Sequence, residues 1–305
     1  MSHHHHHHPG GDGSTSRKLT IATVATGLFV IAEAIVGFRS NSLALVGDAL
    51  HNFTDAIALV LALAAFRIER RPATSSKSYG YHRAGVLAAF INAGTLVAFT
   101  LYIFVEAAQR LRSPERVNSL AMLVTAGVAL ALNAAITLSL RREGARDLNI
   151  RAATLHMLGD AVSSAAVIVA ALLIRASGHS LWDPAASVLI GIGILWSSWG
   201  VLREAVNLLL EGTPSGIDPG EVTRSIASIE GVFGVHHLHI WALGPSRPAL
   251  SCHLMVGDVP VRSAQALLDQ VNTILSSRFQ IAHSTIQFEF ANCEADDPCE
   301  VRSVK

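Results

Sequence analysis

Six apolar stretches, each about 20 residues or longer, fill the first two-thirds of the chain, near 19–38, 43–66, 84–108, 119–140, 151–175 and 184–208. A bilayer's hydrocarbon core is about 30 Å thick and a helix rises ~1.5 Å per residue, so ~20 apolar residues cross it. With no water at that depth, the backbone must satisfy its own hydrogen bonds, and continuous apolar runs do so as helices. The pattern predicts six transmembrane helices. Composition agrees, with half the residues apolar, 15% charged and a mean hydropathy of +0.41. Ala, Gly, Ser and Thr are abundant in the spans, which lets helices approach closely where no hydrophobic force drives them together. Asp183-Pro184 reads as an N-cap followed by proline at the first helical position.

Within these spans the ionisable residues fall in a repeated pattern. GDALHNFTDAIALV (47–60) and TLHMLGDAVSSAAVIV (154–169) each carry His-x-x-x-Asp, as His51 with Asp55 and His156 with Asp160. At ~100° per residue an i,i+4 pair shares one helix face, roughly 6 Å apart along the axis. A single pair could be a hydrogen bond between helices. Two pairs at identical spacing in separate spans, where ionisable groups are costly, point to a pathway. Together they offer two imidazoles and two carboxylates, the N/O tetrahedron that Zn²⁺ takes with bonds of about 2.0–2.2 Å. Glu33, Asp48, Asn92 and Asn133 also lie in spans. Asp48, one turn before His51, could orient its imidazole or pass protons. For the asparagines, packing and helix-to-helix hydrogen bonds are the expectation.

Orientation follows from Lys and Arg. The N-terminal flank and the second and fourth loops hold eleven of them, from Arg17 and Lys18 to Arg146 and Arg151, against five on the other side. The positive-inside rule then puts both termini in the cytoplasm. His51 and Asp55 fall roughly 12–18 Å into their helix, near mid-membrane. The formal net charge of zero offers no basic excess for nucleic acid. Residues 1–16 lack the apolar core of a signal peptide. Their six histidines, 3–8, fit an affinity tag, although native His-rich tails also bind metal. Three cysteines, Cys252, Cys293 and Cys299, all late in the chain, make no disulfide framework.

After Pro214 the apolar spans end. A helix from Asp218-Pro219 to about Ile229, strands at 233–243 and 249–256, a helix at 261–278 and a strand at 283–290 read as α-β-β-α-β. That suffices for a small open-faced sheet covered by two helices, which dimerisation would help to stabilise. The domain expectation is therefore a tail at 1–16, a six-helix membrane domain at 17–212, a cytosolic domain at 213–293 and a tail at 294–305. His236, His237, His239, His253 and His283 lie on the strands, with Glu289 on the third and Cys293 and Cys299 just beyond. Singly these are ordinary strand residues; clustered, they suggest a second metal site.

Six spans, the paired His-x-x-x-Asp, SYGYHRAGVLAAFINA at the third span, and VHHLHIW with SCHLMV and HSTIQFEF resemble the cation diffusion facilitators. The chain is most similar to their bacterial zinc, cobalt and cadmium efflux type and to vesicular zinc transporters. The resemblance implies a proton-coupled antiporter that moves divalent metal out of the cytoplasm, as a homodimer with a ferredoxin-like C-terminal domain. It implies a transport site at His51, Asp55, His156 and Asp160, favouring Zn²⁺. It implies cytosolic ligands at His236, His239, His253, His283 and Glu289, with Cys293 and Cys299 as candidates, and Zn²⁺ as both substrate and regulatory ligand. It also suggests a charge interlock between Arg83 and Glu211 that steadies the dimer. Between spans two and three RRPATSSKSYGYH offers only His82, so the further metal site some members build there is expected to be absent. The short REGARDLNI connection suggests a bacterial protein, hence the inner membrane.

Metal ligands must be deprotonated to bind, so protons and metal compete for one site without further machinery. Two other classes are weaker. An intramembrane metallohydrolase needs an open coordination position and a general base, and the chain has no His-Glu-x-x-His. A membrane-bound metal sensor or scaffold would use the C-terminal histidines but needs no mid-membrane site.

Overall fold

In the computed structural model, which describes residues 13–140, 148–245, 247–258 and 260–290, six long helices come first. They are α1 (Gly13–Ser40), α2 (Leu43–Glu69), α3 (Ala84–Arg112), α4 (Ser119–Leu140), α5 (Leu148–Ser177) and α6 (Trp182–Leu209). Helices α2 to α6 are each long and apolar enough to cross a membrane, and α1, at 28 residues, exceeds the ~20 a span requires. Their outer faces carry large bare apolar side chains, Trp196 at 87% exposure among them. Such a surface is suited to lipid rather than water. The second region holds α7 (Pro219–Ala227), β1 (Val232–Gly244), β2 (Arg247–Val256), α8 (Val261–Phe279) and β3 (His283–Glu289), the α-β-β-α-β order expected.

The chain divides into two compact units, Met1–Leu59 with Gly94–Ser198, and Val60–Ala93 with Trp199–Lys305. In the first, α4 packs along α5 and α1 against α4. Its core is built from Ala44, Ala126, Ala170, Ala171 and Ala186 around Leu45, Met122 and Val167. The alanines let the backbones come close, so dispersion contacts take over the role the hydrophobic effect has in water.

Asp183 departs from the sequence expectation. Helix α6 starts two residues before Pro184, at Trp182, and the Asp183 carboxylate caps a different helix. It accepts from Ser42 Oγ at 2.6 Å, from the Leu43 N–H at 2.7 Å and from the Ala44 N–H at 3.2 Å, at the start of α2. Pro184 still falls in the first turn of its own helix, where its missing N–H costs nothing. Arg110 lies 4.0 Å from the same carboxylate and donates to the Asn41 carbonyl at 2.7 Å. A buried acid shared by the orphan donors of one helix end and a guanidinium is well satisfied.

In the second unit, β1 and β2 pair antiparallel and β2 and β3 parallel, in the order β1-β2-β3. The parallel pair needs a crossover, which α8 supplies. Helix α7 is capped by Asp218, which accepts from the Gly220 N–H at 2.9 Å, with Pro219 in the first turn. The core lies on one face of the sheet, where Val222 and Ile226 of α7 and Val271 and Leu275 of α8 meet Ile240, Leu250 and Leu254. The opposite face is left to the histidines.

Candidate metal centres

The two His-x-x-x-Asp motifs lie on α2 and α5, and the structure brings all four side chains together. His51 Nε2 is 3.6 Å from Asp55 Oδ2 and 3.7 Å from Asp160 Oδ1. His156 Nε2 is 3.4 Å from Asp55 Oδ2 and 3.7 Å from Asp160 Oδ2. These are long for hydrogen bonds and right for something else. An edge of a tetrahedron with bonds of ~2.1–2.2 Å is about 3.4–3.6 Å, close to these four imidazole–carboxylate distances, and the two imidazoles face different oxygens of Asp160. The rings meet edge to face, with centroids 6.2 Å apart.

Two polar atoms here are buried without a hydrogen-bond partner, His51 Nδ1 and Asp55 Oδ2. The orphaned oxygen faces both imidazoles, where a cation would satisfy it. Asp160 is almost wholly buried, whereas the His156 side chain is 44% exposed, giving the cluster one open flank. Asp48 does not orient His51: it accepts a short hydrogen bond from Ser163 on α5. Glu33, on α1, is completely buried beside Asp48 and Asn52.

The cytosolic candidates divide into two groups. His236 Nε2 lies 2.9 Å from Glu289 Oε2, and His253 Nδ1 lies 2.8 Å from Glu289 Oε1, so one carboxylate spans two imidazoles on two strands. Register explains the meeting, since His236 pairs with His253 across β1 and β2, and Glu289 with Met255 across β2 and β3. His237 completes the group. The β1–β2 register shifts between His236 and His239, and His237 has φ of +49°. A bulge of this kind re-aims a side chain, and the His237 ring lies 4.9 Å from that of His253 and 5.4 Å from that of His236. Nitrogens of His236, His237 and His253 all fall within 4.8 Å of one another, which suits a shared metal ion.

His239 and His283 lie elsewhere. His239 faces Ser251 in the register and lines a different cavity with Glu211 and Trp241. His283 opens β3 opposite Ala249 and makes an edge-to-face contact with Tyr79. Cys252 points into the core, and burial pushes its thiol up to about 11. Cys293 and Cys299 lie outside the described residues. The sequence does carry one sign of His237: in a period-two strand, His236 and His239, three apart, cannot share a face unless the strand bulges between them. Arg83 donates twice to Glu211 Oε1, both at 3.2 Å, and once to the Ala242 carbonyl at 3.2 Å.

Comparison with known proteins supplies the family. The cation efflux transmembrane domain matches residues 19–210, and the cytoplasmic domain of cation efflux proteins matches residues 214–291. The chain is a member of the cation efflux family. This cation efflux protein is 40% identical over 288 residues to the cation efflux system protein CzcD of Alcaligenes sp. (strain CT14), covering 94% of this chain and 91% of that one. It is 39% identical over 287 residues to the zinc transporter ZitB of Escherichia coli (strain K12), covering 93% and 90%. It is 36% identical over 281 residues to the cadmium, cobalt and zinc/H(+)-K(+) antiporter of Bacillus subtilis (strain 168), covering 91% and 90%. A solved metal-bound C-terminal domain of the CzcD transporter aligns at 34% identity and a TM-score of 0.23, over 24% of this chain and all of its own length. This is a multi-pass membrane protein of a transporter family rather than an enzyme family.

Proposed function

We infer that this protein exports Zn²⁺ from the cytoplasm in exchange for protons, through a tetrahedral site formed by His51, Asp55, His156 and Asp160. The observation that carries the reading is that each imidazole lies 3.4–3.7 Å from a carboxylate on its own helix and from one on the other helix, with an unpartnered carboxylate oxygen among them. Two carboxylates against Zn²⁺ leave the loaded site neutral, which limits the cost of a charge at membrane depth. Each imidazole must offer a lone pair to hold the ion, so protons arriving from the far side displace it. Alternating access then needs only that the site open to one face at a time. The Bacillus subtilis relative is named for exchange of cadmium, cobalt and zinc against protons and potassium, and the same kind of exchange is proposed for this chain.

The same reading gives 17–212 to transport and 213–293 to a cytosolic metal-binding domain in a homodimer, with both termini cytoplasmic and the inner membrane as location. His236, His237, His253 and Glu289 form its regulatory Zn²⁺ site. The test is transport in proteoliposomes carrying an internal pH dye, with Zn²⁺, Cd²⁺ or Co²⁺ outside and potassium present or absent. Wild type should move protons against metal, and Asp55→Ala and Asp160→Ala should abolish that flux while the protein stays monodisperse. Wild-type flux in either variant overturns the four-ligand assignment; metal binding without flux in wild type leaves a sensor or scaffold instead.

A further inference from the structure

The geometry points to a binding site for one anionic phospholipid at the cytoplasmic edge of the spans. In the second unit a cavity of about 630 Å³ lies where α2 ends, α3 begins and α6 ends. Ile68, Leu87 and Leu209, one from each helix end, give it an apolar wall, and Lys77 and Arg83 add cationic groups. A wall of helix-end apolar side chains beneath a basic rim matches a lipid, whose chains need the first and whose phosphate needs the second.

The two cations differ in what they have left to offer. Arg83 is engaged by Glu211 and by the Ala242 carbonyl. Lys77 is exposed and, among the described residues, pairs with no carboxylate. Its position is set by backbone rather than by chance. Thr74 and Lys77 exchange two N–H···O bonds of 3.1 and 3.2 Å, and the Gly80 N–H donates to the Lys77 carbonyl at 2.8 Å. Gly80 has φ of +78°, a conformation glycine adopts without strain. A pinned loop holding an unpaired ammonium over an apolar cavity selects a phosphodiester that carries net negative charge. A zwitterionic headgroup brings its own cation and gains less. A soluble phosphate could use Lys77 but leaves the wall of Ile68, Leu87 and Leu209 uncovered, so the lipid is the occupant.

The experiment is native mass spectrometry of the full-length protein in detergent, offered equal amounts of phosphatidylglycerol and phosphatidylcholine. Wild type should retain phosphatidylglycerol preferentially. One Lys near an anionic surface is worth a factor of about five, so Lys77→Ala should cut the preference about fivefold, and Lys77→Arg should keep it. Lys77 lies in neither metal cluster, so Zn²⁺ binding in the same samples should not change and shows that the variants are folded. Equal retention of the two lipids by wild type overturns the proposal, as does a preference that survives Lys77→Ala. Loss of the bound lipid to millimolar inorganic phosphate also overturns it, because the site would then take a free anion.

Discussion

The cytosolic cluster allows a test in which the folded chain and simple strand alternation give opposite answers. The bulge in β1 puts His237 among His236, His253 and Glu289, and leaves His239 facing Ser251. Structural zinc sites are worth ~10–16 kcal/mol, so each of four ligands carries about 2.5–4 kcal/mol, on the order of a hundredfold or more in Kd. His237→Ala should therefore weaken Zn²⁺ at this site by at least about a hundredfold. Glu289→Gln should also be costly, because it removes the charge that spans His236 and His253 at 2.9 and 2.8 Å. His239→Ala should change Kd by no more than about twofold, the error expected for a surface position. The assay is calorimetric Zn²⁺ titration of full-length protein in detergent, on an Asp55→Ala/Asp160→Ala background that silences the membrane site. A loss at His239→Ala equal to that at His237→Ala, or no loss at His237→Ala, would refute the bulge as the device that builds the site.

Three further outcomes are expected. His51→Asp replaces an imidazole, which suits Zn²⁺, by a carboxylate, which tolerates harder ions, so competition assays in proteoliposomes should show Mn²⁺ and Cd²⁺ admitted more readily; an unchanged profile would remove His51 from selectivity. The Arg83–Glu211 pair is 35% and 67% exposed, so a double-mutant cycle of Arg83→Glu and Glu211→Arg on thermal stability should give a coupling of only about 0.2–1 kcal/mol. The swap should restore that coupling but not the lost bond to the Ala242 carbonyl, and a coupling above ~2 kcal/mol would mark a buried interlock instead. The Cys252 thiol, pushed up to about 11 by burial, should resist alkylation at pH 8.5 until the domain is unfolded, as read by peptide mapping. Because this acid is held above its unfolded value, the stability it contributes is complete below that value and is lost as pH rises through about 11; labelling of native protein at pH 8.5 would contradict the burial.

The spans and the meeting of His51, Asp55, His156 and Asp160 were legible in the sequence because both depend on short-range periodicity. A run of apolar residues needs no partner to declare a span, and His-x-x-x-Asp declares a shared face by spacing alone. That His51, Asp55, His156 and Asp160 actually meet is a matter of packing, yet the repetition of the motif at the same spacing foretold it. The α-β-β-α-β order was equally legible, from turn residues and alternation. What escaped depends on departures from period. His237 points where it does because one residue of β1 adopts a left-handed backbone, and no alternation pattern predicts which of two adjacent histidines a bulge will turn inward. Asp183 escaped for a related reason. Asp-Pro at the start of a helix reads as a local cap, and local reading cannot see that Ser42, Leu43 and Ala44 of another helix present three donors to the same carboxylate. A cap supplied from 140 residues away ties α6 to the helix that carries His51 and Asp55. The residue that seemed to begin one span therefore also fixes the start of α2.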